Sequence, residues 1–324
     1  MKAILCETFG PPETLRLAEI DSPLAGPGEV VVTIAAAALN FFDTLIIEDK
    51  YQFKPGLPFS PAGEFSGRIA AIGAGVSGVS IGDRVMAYSG WGAARQQIAV
   101  KADRLVPVPD NISDDIAAGL IVTYGTTIHA LRDRAKLQPG ETLAVLGASG
   151  GVGIAAVELG KAMGARVIAC ASSADKLAFC RAHGADELVD YSTGDLKSQL
   201  KALTGGKGAD VIYDPIGGIY AEQALRATAW MGRFLVIGFA AGSIPKIPLN
   251  LALLKGCDIQ GVFWGSFIER DPARQRANME QILAWVGDGQ LKPHTDRSYA
   301  LADTPEALQA IAQRVVKGKI VITP

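Results

Sequence analysis

The apolar run Thr142 to Leu146 is followed at once by Gly147-Ala148-Ser149-Gly150-Gly151-Val152-Gly153, and then by a helical pattern that reaches Met163. Short strand, glycine turn and helix in immediate succession confine this stretch to one supersecondary unit. Backbone at Gly150 and Gly151 has no Cβ to keep a pyrophosphate away. The helix that follows offers N–H groups and the positive end of its dipole. Gly153 lets the helix pack closely on the strand. Read against G-x-G-x-x-G, the first glycine is replaced by Ala148, and Gly150 and Gly153 take the later positions. Ala148, Ser149, Gly150, Gly151 and Val152 are therefore candidate dinucleotide contacts.

The unit propagates. Strands are expected at Arg166 to Ala171, Glu187 to Val189, Asp210 to Asp214 and Gly232 to Gly238. Helices are expected between them at Asp175 to His183, Asp195 to Thr204 and Tyr220 to Ala229. Strand–helix alternation with short connections means a doubly wound parallel sheet, so the fold class is α/β. The first hundred residues differ. Glu29 to Ala37, Gly63 to Val76 and Asp83 to Tyr88 read as strands punctuated by Gly67, Gly73, Gly75, Gly78 and Gly82, the pattern of a small irregular barrel. A helical period over Ile116 to Arg134 is interrupted near Tyr124-Gly125. Helices at Pro272 to Asp288 and Pro305 to Lys317 and a strand at Lys319 to Thr323 are placed back with the first domain. At 324 residues the chain has room for two cores. The expected boundaries are 1–122 with 265–324 for the β-rich domain and 123–264 for the inserted one. Such an insertion leaves a cleft where a substrate would sit.

The end of the second strand, roughly 20 residues beyond the glycine turn, selects the dinucleotide. It reads Ala171-Ser172-Ser173, with no acid before Asp175 and with Lys176 beside it. Hydroxyls and an ammonium suit a 2′-phosphate, which a carboxylate would repel. A formal charge of −2 gives no electrostatic reason to expect nucleic acid or an anionic membrane as partner. No uncharged apolar run approaches the ~20 residues of a membrane span, and no signal-peptide pattern opens the chain. The expectation is a soluble, cytoplasmic protein. Cys6, Cys170, Cys180 and Cys257 show neither Cys-x-x-Cys spacing nor a neighbouring histidine at ligand spacing, and read as reduced, mostly buried thiols.

Pro139-Gly140-Glu141 through Gly153, Ala38-Leu39-Asn40-Phe41-Phe42-Asp43-Thr44, Lys50-Tyr51, Leu57 to Glu64 and the closing Gly318-Lys319-Ile320-Val321-Ile322-Thr323-Pro324 together resemble the zeta-crystallin-type quinone oxidoreductases, zinc-independent medium-chain dehydrogenase/reductases. Ala62, Ala144 and Glu158 depart from the usual proline, leucine and glutamine. The resemblance implies a GroES-like β-rich catalytic domain split by a Rossmann domain, with NADPH as cofactor. It implies that Ser173, Lys176, Tyr191 and Arg314 join Ser172 at the 2′-phosphate and adenine end. It places Gly238-Phe239-Ala240, Phe263 and Trp264 along the nicotinamide carboxamide, and Thr126 beside the ring. The positions that bind catalytic zinc in metal-dependent relatives match Asn40, Gly63 and Val122, and neither glycine nor valine has a ligating side chain. No metal is therefore expected.

Without a Lewis acid, hydride removal from an unactivated alcohol is hard, whereas delivery to a quinone or another α,β-unsaturated carbonyl is feasible. Asn40 and Tyr51 are the expected catalytic residues at the acceptor, with Tyr51 able to donate to a developing enolate oxygen. Asp43 and Glu64 are expected as hydrogen-bonding scaffold. An enoyl-thioester reductase and a non-catalytic NADPH-binding or RNA-binding protein are the alternatives. The resemblance also implies a homodimer, formed here through the apolar stretch Ile247 to Val262.

Overall fold

The structure is a computed structural model and describes residues 1–324. It forms two compact units, Met1–Val122 with Pro293–Pro324, and Thr123–Lys292.

In the inserted unit, six strands lie in the order Glu187–Asp190, Arg166–Ala171, Thr142–Leu146, Ala209–Asp214, Thr228–Val236, Asp258–Gly261, every neighbouring pair parallel. The central strands are continuous apolar runs because parallel strands are covered on both faces. Leu143, Val145, Val167, Ala169 and Val211 are wholly buried. Helices Gly151–Ala162, Ala174–Ala182, Leu196–Leu203 and Gly218–Arg226 connect the strands. Ser173 and Asp195 cap two of them through bonds to the amides of Lys176 and Ser198.

The other unit is built around a long strand, Glu29–Leu39. Its sheet runs Thr295–Ala300, Lys319–Thr323, Glu29–Leu39, Glu64–Ile72, Arg84–Tyr88, Val106–Pro107, and Gln97–Lys101 also pairs with Glu29–Leu39. The register opposes Leu39 to Ile320, Ala38 to Glu64 and Glu64 to Tyr88. Residues from the two ends of the chain thus meet at the C-terminal end of the long strand.

Three expectations need correction. The second boundary falls after Lys292, not after 264, because helix Pro272–Gly287 packs within the inserted unit. There Arg274 reaches Asp133 Oδ1 (2.7 Å) and Gln275 accepts from Trp264 Nε1 (3.2 Å). The helical run after residue 113 breaks at Gly119, between Asp114–Ala118 and Leu120–Ile128, and continues through Tyr124-Gly125. Its last turn, His129–Arg134, is a π-helix. The helix expected to reach Lys317 ends at Ala312.

Candidate active site

In the inserted unit the glycine turn has the geometry its residues dictate. Gly147 takes a left-handed φ of 57°, so the sharp bend sits one residue before Ala148, which is fully buried. Gly150 caps the twelve-residue helix Gly151–Ala162 with extended backbone. A Cβ added at Gly150 would meet only the Gly147 carbonyl, at 3.5 Å, so that face of the turn is open. A Cβ at Gly153 would lie 2.2 Å from the same carbonyl, and only glycine permits this helix to sit so close. An open, Cβ-free cradle at a helix N-terminus fits a pyrophosphate.

At the end of strand Arg166–Ala171, Ser173 Oγ accepts from the Lys176 amide, and Lys176 Nζ lies 3.5 Å from Ser172 Oγ. The Tyr191 amide bonds to the Ala171 carbonyl, and the Tyr191 ring meets Tyr220 at 4.6 Å. One carboxylate escaped the sequence reasoning: Asp190 is paired with Ala171 across the ladder. Its Oδ1 is engaged by the Ser192 amide and hydroxyl at 2.9 and 2.6 Å. Ser172, Ser173, Lys176 and Tyr191 therefore lie at two adjacent strand ends. Arg314 belongs to the other unit, at a left-handed φ of 59°.

Beyond strand Thr228–Val236, the Gly238 amide points at the Asp214 carbonyl (3.4 Å) and the Ala240 amide at that of Pro215 (3.0 Å). The loop they lean on is organised by Asp214, whose Oδ1 accepts from Ile216 (2.8 Å) and Gly217 (2.9 Å). Burial pushes the Asp214 carboxyl up to about 6 against the pull of those two amides. Sequence reasoning missed Asp214; an acid closing an apolar strand was the available signal. Phe263 is exposed and Trp264 buried; the Trp264 indole nitrogen would stand 3.2 Å from a Cβ at Gly125. Thr126, the next residue, is buried, and Thr127 Oγ1 meets Tyr213 Oη at 2.9 Å. Two of the three histidines are held by side-chain partners. His129 bonds Asp133 and stacks on Phe267 at 3.7 Å, and His183 bonds Glu158 at 2.6 Å. All four cysteines are buried free thiols.

In the unit of both chain ends, a buried polar cluster surrounds Asn40. The Asn40 amide N–H donates to Asp43 Oδ2 (2.7 Å), and the Ala62 amide donates to Asp43 Oδ1 (3.1 Å). Asn40 Nδ2 donates to Glu64 Oε1 (2.9 Å), and the Val122 amide donates to Glu64 Oε2 (2.8 Å). Sequence reasoning missed the fourth member. Lys319 Nζ donates to the Leu39 carbonyl (2.8 Å), Asn40 Oδ1 (2.7 Å) and Glu64 Oε1 (2.9 Å). Its side chain is 8% exposed and that of Glu64 is 0% exposed, so each ion depends on the other. Burial raises Asp43 to about 7, with Glu64's charge adding to the effect and two backbone amides and Lys319 opposing it. Tyr51 stacks on Phe42 at 5.6 Å, and burial, then the Asp43 charge, raises its phenol. Gly63 lies against the neighbouring turn, where a Cβ would be 2.7 Å from the Gly90 carbonyl.

Residues 26–110 match the alcohol dehydrogenase GroES-like domain, and residues 151–286 match the family described as zinc-binding dehydrogenase. A GroES-like domain joined to a Rossmann-type parallel sheet defines the medium-chain dehydrogenase/reductase class. Within it, the chain is 37% identical to quinone oxidoreductase-like protein 2 of Rattus norvegicus, over 99% of this chain and 92% of the relative. It is 32% identical to a quinone oxidoreductase of Pseudomonas aeruginosa, over 100% of this chain and 99% of the relative. The crystal structure of Escherichia coli quinone oxidoreductase complexed with NADPH superposes with a TM-score of 0.94 at 26% identity, covering 100% of both chains. The chain belongs to the quinone oxidoreductase family of medium-chain dehydrogenase/reductases, and the class is one of oxidoreductases.

Proposed function

We propose that the chain is an NADPH-dependent reductase of a quinone or another α,β-unsaturated carbonyl. The observation that carries this proposal is the open Gly150 cradle beside a strand end that offers Ser172, Ser173 and Lys176, with the acid across the ladder from Ala171, Asp190, already engaged. The NADPH bound by the Escherichia coli relative supports the same choice of cofactor.

Gly150, Gly151, Ala148, Ser149 and Val152 would hold the pyrophosphate. Ser172, Ser173, Lys176 and Tyr191, joined by Arg314, would hold the 2′-phosphate and adenine end. Gly238, Phe239, Ala240, Phe263, Trp264 and Thr126 would hold the nicotinamide end. When bound, the reduced nicotinamide supplies the hydride. Asn40 then offers an N–H to the acceptor oxygen, and Tyr51, whose raised phenol keeps its proton at neutral pH, donates a hydrogen bond to the same oxygen.

The assembly we propose is a homodimer. Strand Asp258–Gly261 is an open edge of the parallel sheet with Ile259 exposed. In the same unit Trp230, Met231, Leu249, Leu253 and Leu254 are each more than 60% exposed. An uncovered sheet edge with many exposed apolar side chains nearby suits a second copy of itself.

Fluorescence titration with NADPH and NADH, followed by NADPH oxidation with a quinone, a small enone and an enoyl-CoA, tests the proposal. NADPH should bind more tightly than NADH, and the quinone or the enone should be reduced. Absence of NADPH affinity would overturn it. Turnover of the enoyl-CoA alone would move the substrate to thioesters, and binding with no turnover would leave a non-catalytic nucleotide-binding protein.

A further inference from the structure

Lys319 is a buried ammonium with three protons and three acceptors, the Leu39 carbonyl, Asn40 Oδ1 and Glu64 Oε1. Its stem is enclosed as tightly as its head: a Cβ at Gly119 would come within 3.2–3.5 Å of three Lys319 carbons. The Asn40 amide lies between the two ions, with its oxygen on the ammonium and its nitrogen on the Glu64 carboxylate. Turning that amide over would set its NH2 group against the ammonium and its oxygen against the carboxylate. Two charge-assisted bonds would become two repulsive contacts, so charge fixes the orientation. One proton of Nδ2 is committed to Glu64 and the oxygen is committed to Lys319. A single N–H remains for a ligand.

We propose that Lys319 is the positioning residue that makes Asn40 a donor-only group. Asn40 then selects a ligand oxygen that carries no proton, such as a carbonyl. A hydroxyl fits only if its own proton finds a different partner. This rests on Asn40 facing the acceptor, as proposed above.

The test compares the double variant Lys319→Met/Glu64→Gln with the single variant Glu64→Asp, which keeps both charges. The double variant removes both charges at similar volume, so that neither ion is left buried alone. It should keep the parent's Tm and NADPH affinity. Its kcat for cyclohex-2-enone should fall about tenfold with little change in KM, because the lost alignment acts in the transition state. The preference for cyclohexanone over cyclohexanol as competitive inhibitor should shrink in the double variant and persist in Glu64→Asp, where the paired ammonium still holds Asn40 Oδ1. NMR exchange of the Asn40 side-chain amide protons, slow in the parent and in Glu64→Asp and fast in the double variant, reads the lock without any turnover. A double variant equal to the parent in kcat, inhibitor preference and amide exchange would overturn the assignment. So would loss of the preference in Glu64→Asp alone. A parent that reduces no acceptor sinks the proposed function instead, and the exchange measurement still decides the role of Lys319.

Discussion

Gly150 and Gly153 stand three residues apart and have opposite tolerances. Gly150 has a negative φ and space for a methyl group, so Gly150→Ala should leave Tm within a degree or two while weakening NADPH in a titration. Gly153→Ala drives a Cβ into the Gly147 carbonyl and should cost about 1–3 kcal/mol in chemical denaturation. Lys176→Ala should raise the NADPH Kd about tenfold and leave that of NADH unchanged, the signature of one charge-assisted contact to a phosphate. The two raised carboxyls also set a pH dependence. Asp214 titrates near about 6 and Asp43 near about 7 when folded, against 3.8 as ordinary carboxyls. The folded state therefore holds more protons than the unfolded one between those values, and stability at these two groups falls as pH rises through the window. Thermal melts from pH 4 to 8 should show this loss. Asp214→Asn keeps an Oδ1 that can accept from Ile216 and Gly217, and should flatten the segment around pH 6.

Among the elements, the parallel strands were legible in the sequence because strands covered on both faces must be continuous apolar runs between glycine or polar turns. Thr142–Leu146 and Arg166–Ala171 carry that pattern within residues of their observed ends. The short helices Asn250–Lys255 and Trp264–Arg270 lack a full amphipathic period and were not separable from loop. The Asn40 cluster was legible only in part. Asn40, Asp43, Glu64 and Lys319 all stand in recognisable segments, but nothing local to Gly318-Lys319 tells a buried lysine from a solvated one. Its burial is decided by Leu39 and Glu64, roughly 280 and 255 positions away, through strand register that no local pattern encodes. The exposed edge strand carries its own prediction. Ile259→Lys introduces a charge where a second copy would pair, and light scattering should show a monomer in place of a dimer, with NADPH affinity retained.

For the molecule as a whole, the inserted unit builds its sheet from one continuous stretch of chain. Every strand of its sheet lies between residues 142 and 261. Its first and last segments are also tied together: Glu158 Oε2 accepts from Tyr124 Oη at 2.8 Å and from the Lys292 amide at 3.0 Å. Residues 123–292 expressed alone should therefore unfold cooperatively and bind NADPH. Glu158→Ala should lower the fragment's stability by about 2–4 kcal/mol in urea melts, since it frees a buried phenol and an imidazole from one acceptor.

Gly63 bears on how far this scaffold could be redesigned. Grafting cysteine at 40, histidine at 63 and cysteine at 122 would spell out a metal-ligand set in letters, yet the imidazole would have to begin from a Cβ 2.7 Å from the Gly90 oxygen. The 88–92 turn would need rebuilding and the Lys319 charge removing before such a graft could take hold. Installing a metal-ligand set here is thus a change of main-chain path as well as of side chains.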